Sequence, residues 1–423
     1  MKIAKRRNKK ICLGIIIDTD LRIPPFTGVT YRLYYFSQHL IRFGLEIKIF
    51  LCNRNIRNSK EEKILYDKSG IEFNVLPEDF FYSPNKMLKL IQKKFIDILQ
   101  FEDSVSILRY KEIFQKLNIP ACLEIHDVES SLKEMLNYCS DDIKKTNIIS
   151  NKACKLANKI ICMTPLDYSE LIHKIGADKK KISIIPNPIN IKEFKFFGPS
   201  KKRNNIIFIG NMFYWPNANA VEVIIKTIVP TVHKKNPDTF FYFVGKAPDN
   251  LIQMESEKII FTGKVDDLNS VLKNATIALC PIYEGSGMKV KVLNYCASGL
   301  PVITTSIGAS GYEKVKSLLV ENNINCYPVI INDLLNKRKR LVKIGERNRK
   351  YIEKNFDINV LSLKMIKIYK KLLKQSAISN NNFFNTENVP LPLWLSEKRN
   401  NKINNKNYYI IKNGKTIFKK KIA

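Results

Sequence analysis

At 423 residues the chain has room for two domains of ordinary size, and it can bury a large core without disulfide or metal staples. Hydrophobic residues at 45% and charged residues at 26% exclude a wholly disordered chain. Lysine and arginine number 71 against 39 acidic residues, a formal net charge of +32. Three sources of that excess stay open: a nucleic-acid surface, a face for anionic lipid, or a Lys-, Asn- and Ile-rich composition with no functional meaning. Neither zinc-finger spacing nor an aromatic RNA-binding signature accompanies the charge, so no specific nucleic-acid partner is expected.

The basic start, Met1 to Lys10, leads into an apolar stretch over 11–17 that stops at Asp18 with no small-residue cleavage site. This predicts a first strand, not a signal peptide. No apolar run reaches the roughly 18 residues of a membrane-spanning helix. A soluble, cytoplasmic protein is therefore expected. None of the nine cysteines forms a C-x-x-C pair and several sit in apolar runs, such as Ile161-Cys162-Met163. Free buried thiols in a reducing compartment are the expectation. The four histidines are scattered, and no metal site is expected.

In chain order, the first strand is followed by the turn-rich Pro24-Pro25-Phe26-Thr27-Gly28 and a helix over 30–43. Gly44 ends that helix before a strand over 46–51, the pattern of a right-handed βαβ unit in a parallel sheet. Residues 83–100 carry an amphipathic helical pattern with Lys86, Lys89, Lys93 and Lys94 largely opposite the apolar side. Such a helix rests on an anionic membrane or packs on its own sheet. Further strands are predicted at 121–125, 159–163 and 182–185. After the polar stretch 198–204 the series restarts, with strands at 206–209, 240–244, 259–261, 275–280 and 301–305. Helices intervene over 218–229 and 289–297, and more follow at 334–356 and 360–373. Two doubly wound domains facing each other across a cleft are the economical reading. From 376 onward the chain turns Asn- and Lys-rich, with Asn413-Gly414 as a hairpin signal.

The most informative segment begins Glu284-Gly285-Ser286-Gly287-Met288-Lys289-Val290-Lys291 and closes with Gly299-Leu300-Pro301 into a strand. Glycines admit a phosphate close to the backbone, and a helix start offers free N–H groups and partial positive charge. Two lysines add full charge there. An ordinary β-turn-α junction with solvated lysines fits the spacing equally well.

These residues resemble the donor-site stretch of family 4 glycosyltransferases, in the branch whose loop reads G-x-G-x-[RK]-x-K. Other stations follow in order: Pro25 to Gly28, Pro186-Asn187-Pro188 with Phe194, Gly210-Asn211 with Trp215-Pro216-Asn217, and Thr262-Gly263-Lys264-Val265-Asp266. The likeness spans roughly 11–373. It implies an α/β protein of GT-B architecture, two Rossmann-like doubly wound domains facing a central cleft plus a polar C-terminal extension. The implied division is 1–200 for the acceptor side, 201–357 for the donor, 358–375 for a helix returning to the first domain, and 376–423 for the basic extension.

The resemblance implies transfer of a sugar from a nucleotide diphosphate sugar to a glycan or lipid-linked acceptor in cell-surface polysaccharide synthesis. Retention, no metal and no cofactor beyond the nucleotide sugar co-substrate are implied too, while the net positive charge and the basic helical pattern at 83–100 leave an anionic membrane surface open as a further partner. Carried over, Gly210, Gly285, Gly287, Lys289 and Lys291 would bind the donor diphosphate, Val265 and Asn294 the nucleoside, and Gly28 would lie on the acceptor-side loop. His126, after the strand ending at 125, matches a cleft-lining histidine and is the candidate catalytic residue; Asp127 is expected to cap the next helix. Most family members carry two glutamates, the first near the sugar and the second on the ribose. Here Ser286 and Asn294 stand at those positions, and Asn211 replaces a common arginine. A catalytically inactive GT-B-fold binding or partner subunit is the alternative these departures leave open.

Overall fold

The structure, a computed structural model, describes residues 10–18, 28–53, 69–378, 411–412 and 415–416. Among them the first sheet takes seven strands: β1 (Cys12–Ile17), β2 (Glu46–Cys52), β3 (Glu72–Leu76), β4 (Ile98–Phe101), β5 (Ala121–Ile125), β6 (Lys159–Cys162) and β7 (Ile182–Ile184). Their order is β3-β2-β1-β4-β5-β6-β7, and every pair is parallel. The second sheet takes six: β8 (Asn204–Ile209), β9 (Thr239–Val244), β10 (Ile259–Gly263), β11 (Ile277–Cys280), β12 (Val302–Thr304) and β13 (Leu319–Val320). These run β10-β9-β8-β11-β12-β13, again all parallel. Helices cover both faces of such sheets, so central strands read as unbroken apolar runs. The strands β1, β5 and β11 are accordingly buried at every position.

Seven helices bear on the site and its support: α1 (Gly28–Arg42), α2 (Pro84–Lys93), α3 (Glu129–Met135), α4 (Trp215–Val223), α5 (Val290–Ala297), α6 (Arg338–Phe356) and α7 (Ile358–Ile378). Gly44, in the left-handed region at φ +90°, closes α1. Its N–H donates to Ile41 and that of Leu45 to Leu40, satisfying the last carbonyls of the helix. The turn at 24–27, ahead of α1, lies outside the described residues.

The helical pattern at 83–100 divides in the structure. α2 ends at Lys93, Phe95 turns the chain at φ +53°, and Ile98–Phe101 becomes β4 beside β1. Four buried residues in a row suit either state, and only the gap between β1 and β5 selects the strand. On α2, Met87 and Ile91 are buried in the first-domain core, so the helix packs on its own sheet and turns Lys86, Lys89 and Lys93 outward.

Two apolar clusters fill the faces of the first sheet and a third fills the second domain. α7 belongs to the first domain by contact: Leu361, Met365 and Tyr369 pack with Leu33, Phe36 and Leu40 of α1. The chain returns there beside Ile189, whose N–H donates to Phe356 while Ile358 donates back to Ile189, both at 2.9 Å. Beyond α7, Ile411–Lys412 pairs antiparallel with Lys415–Thr416, as the Asn413-Gly414 signal predicts; those two turn residues are outside the described set. Seven of the nine cysteines are buried, whereas Cys139 is exposed and Cys326 half-buried.

Candidate functional site between the sheet ends

The carboxyl ends of β8, β9 and β10 converge through glycines. Gly210 N–H donates to Val244 at 2.9 Å, and Gly245 N–H donates to Gly263 at 2.8 Å. Gly245 sits at φ +132°, and a Cβ there would lie 2.0 Å from the Gly210 carbonyl oxygen. Only glycine permits that approach. A Cβ on Gly210 would in turn meet the Lys291 ammonium at 2.9 Å and the Asn217 amide at 2.9 Å.

Lys291 enters this corner from the first turn of α5. Its Nζ donates to Asn217 Oδ1 at 2.7 Å and lies 3.9 Å from the centroid of the Phe208 ring. No carboxylate within ion-pairing distance accompanies it among the described residues. Burial, with Lys289 adding repulsion, lowers its pKa to about 8 despite the opposing effect of Cys280. Tyr295 holds α5 in place by accepting the Ile209 N–H at 2.7 Å.

Lys289 does something different. Its Nζ donates to the carbonyls of Gly285, Ser286 and Gly287 at 3.0, 2.7 and 3.0 Å. It ties the loop to the helix start instead of pointing along Lys291. Gly285 and Gly287 adopt φ +107° and +68°, which orients those three carbonyls around one ammonium. The first domain pins the outside of the loop: Gly285 N–H donates to Met135 Sδ at 2.9 Å and Asn187 N–H to Met288 Sδ at 3.3 Å. Gly285–Lys291 therefore faces the interdomain gap.

On the opposite wall, His126 follows β5. Its Nε2 lies 2.8 Å from Glu102 Oε2. Burial opposes charge on the imidazole, but the Glu102 hydrogen bond and charge outweigh it and raise the pKa. Behind Glu102, Gln100 Nε2 donates to Glu102 at 2.7 Å and to Glu124 at 2.5 Å. Arg32 donates to Glu124 and to the Pro186 carbonyl at 2.7 Å. Tyr369 of α7 donates to Gln100 Oε1 at 2.5 Å. The wall is thus a buried polar chain running from the returning helix to the cleft histidine.

Asp127 is not the cap the sequence suggests. α3 starts at Glu129 after Val128, with no side-chain cap. Asp127 instead reaches across the gap, hydrogen-bonded to Ser286, and a Cβ on Gly287 would come within 2.4 Å of its Oδ1. Tertiary contact with the facing loop competes successfully with the local cap.

The other candidate residues stand apart from this contact network. Val265 is half-buried against the second-domain core beyond β10. Asn294 is buried on α5, one turn beyond Lys291, and its Oδ1 has no protein hydrogen-bond partner. Gly28 is exposed at the start of α1, and among the described residues nothing lies within 4 Å of where its Cβ would be. Asn217, Glu102 and the interdomain role of Asp127 were not apparent from local pattern, because each depends on a partner 24 or more positions away, such as Asn217 with Lys291.

Two family models match the chain. "Glycosyltransferase Family 4" covers residues 26–193 and "Glycosyl transferases group 1" covers 203–354. The chain belongs to the family 4 glycosyltransferases. An Escherichia coli relative of this glycosyltransferase, UDP-Gal:alpha-D-GlcNAc-diphosphoundecaprenol alpha-1,3-galactosyltransferase, is 24% identical over 214 residues, 46% of this chain and 53% of that protein. The chain therefore spans about half the length of that relative. An uncharacterized 44.6 kDa protein in the cps region of Klebsiella pneumoniae is 22% identical over 337 residues, 76% of this chain and 78% of that protein.

Solved structures agree on the architecture. A glycosyltransferase from Rickettsia africae matches with a TM-score of 0.71 at 16% identity, covering 87% of this chain and 100% of that one. Anabaena HepE, solved with UDP and glucose, matches at 0.66 and 12% identity, covering 85% and 100%. This glycosyltransferase accordingly has the GT-B fold, and both lysines and both loop glycines fall within the group 1 match.

Proposed function

We propose that the protein transfers a sugar from a nucleotide diphosphate sugar to a glycan or lipid-linked acceptor during cell-surface polysaccharide synthesis, at the cytoplasmic face of the membrane. The observation that carries this is Lys291: a lysine without a carboxylate partner among the described residues, beside Gly210 and at the start of α5, where the sheet ends meet the opposite domain. A departing diphosphate gains charge as the glycosyl bond breaks, and a preorganised ammonium with helix-start N–H groups stabilises it most at that moment. These groups supply the charge a metal would otherwise bring, so the reaction proceeds without one. In this reading Lys289 shapes the loop and Asn294 Oδ1 accepts a hydrogen bond from the nucleoside. The G-S-G-M-K-V-K sequence supports membership of the branch with a G-x-G-x-[RK]-x-K loop.

Retention follows from the family resemblance. The E. coli relative is named for a UDP-sugar and a diphosphoundecaprenol acceptor, and HepE binds UDP; both support a uridine donor. No helix is long and apolar enough to cross a membrane among the described residues. The outward lysines of α2, with Phe95 67% exposed beside them, support contact with an anionic surface.

The test is incubation with a panel of nucleotide sugars, with and without chelator, scored for hydrolysis and transfer, and with the anomeric configuration of the product read by NMR. Failure to bind any donor ends the proposal. Binding without turnover favours the inactive partner subunit, for which Ser286 and Asn294 are the motive.

A further inference from the structure

Asp127 is a carboxylate that the structure releases from the capping duty its sequence position suggests. It does not cap α3. It has left its own domain's helix to meet the Gly285–Gly287 loop of the other domain, touching Ser286 and lying against Gly287. Lys289 stands near it on the second domain, and His126 precedes it in the chain. Burial raises its carboxyl above the ordinary range in spite of these cations and the Ser286 bond.

Position settles what such a group would meet. Lys291 and Gly210 lie at the inner end of the loop, and Asp127 and His126 lie at its outer face, against Gly287. A diphosphate held beside Lys291 and Gly210 would extend its sugar along the loop toward Gly287. Beside Gly287 stand His126, its imidazole fixed by Glu102, and the Asp127 carboxylate. A carboxylate accepts hydrogen bonds from hydroxyl groups, and sugar hydroxyls are donors.

Resting on the nucleotide sugar reading above, we infer that Asp127 is a sugar-recognition residue, its carboxylate accepting hydrogen bonds from hydroxyls of the transferred glycosyl group while Ser286 orients it. The sugar would then be read by the domain opposite the one that holds its nucleotide. Discrimination among sugars would be coupled to the closed arrangement of the two domains.

The experiment compares binding of nucleoside diphosphates with binding of their sugar conjugates. UDP, UDP-galactose, UDP-glucose and UDP-N-acetylglucosamine, with the GDP and dTDP series in parallel, are titrated into the wild type, Asp127→Asn, Asp127→Ala and the double variant Asp127→Ala with Ser286→Glu. Asp127→Asn preserves shape and so guards against a folding failure. Because Ser286 touches Asp127, a glutamate at 286 returns a carboxylate to the same spot. The expected result is nucleoside diphosphate affinity unchanged within about twofold in all variants, with the preferred nucleotide sugar weakened about tenfold or more in Asp127→Ala. Partial recovery is expected in the double variant. Equal weakening of nucleotide and nucleotide sugar would make Asp127 only an interdomain strap, and no change in either would remove it from the site; both outcomes overturn the inference. Absence of any nucleotide binding by the wild type overturns the function itself, and this inference with it.

Discussion

Lys291 Nζ lies 2.7 Å from Asn217 Oδ1 and 3.9 Å from the Phe208 ring centroid. A cation held by an amide oxygen and a ring, without an opposite charge, is costly in the free protein and available to an anion.

Lys291→Met should therefore separate stability from binding. Removing the uncompensated charge raises the melting temperature of the ligand-free protein. The same change weakens nucleoside diphosphate binding roughly tenfold to a hundredfold, the loss of a charge-assisted hydrogen bond worth about 1.5–3 kcal/mol. Calorimetric titration and a thermal melt read the two effects. Unchanged affinity would take Lys291 out of the site.

Binding should depend on pH through the same group. The free-state pKa is lowered to about 8, and a bound diphosphate favours the charged form. Affinity is then full below pH 8 and falls as pH rises beyond it. In the ligand-free protein the sign reverses. A lysine whose folded pKa lies below its unfolded value costs stability while protonated, and that cost is relieved as pH rises from about 8 toward 10.5. Titrations across this window on wild type and Lys291→Met test both, since the variant loses both slopes.

Glu102→Gln should lower the pKa of His126. Glu102 raises the imidazole against the effect of burial, so its contribution to stability is present at low pH and lost as pH rises through the raised folded value. NMR titration of the His126 ring in the variant should show the midpoint moving down, toward or below the ordinary histidine value. A midpoint that stays put would mean the 2.8 Å contact carries no charge coupling.

Gly345→Ala should be among the most damaging single changes outside the cleft. A Cβ at this position of α6 would lie 1.9 Å from the Gly299 carbonyl oxygen. Gly299 is itself in the left-handed region at φ +79°, at the turn between α5 and β12. Neither backbone can yield without moving α5, so a loss of about 3 kcal/mol or more is expected in denaturant unfolding. A loss under about 1 kcal/mol would show that α6 can slide freely.

The repeated strand, turn and helix pattern was readable because the central parallel strands are buried on both faces and need a continuous apolar run. The glycines and lysines of 285–291 were readable because the residue types themselves carry backbone freedom and charge. Less was legible at 83–100, where β4 hides inside an apparently helical run, and at β3 and β13. Those two are marginal strands, one at the outer edge of the first sheet and one only two residues long.

Chain order and residue chemistry alone thus determined the α/β class, the position of the glycine-rich loop and the presence of two cations beside it. Only the tertiary structure decided which lysine faces the sheet ends and which clasps its own loop. The same holds for Asp127 turning from a helix cap to the opposite domain, and for Glu102 standing behind His126. The reason is range: propensity and periodicity act over a few residues, whereas these assignments depend on charges and hydrogen-bond partners brought together from segments far apart in the chain.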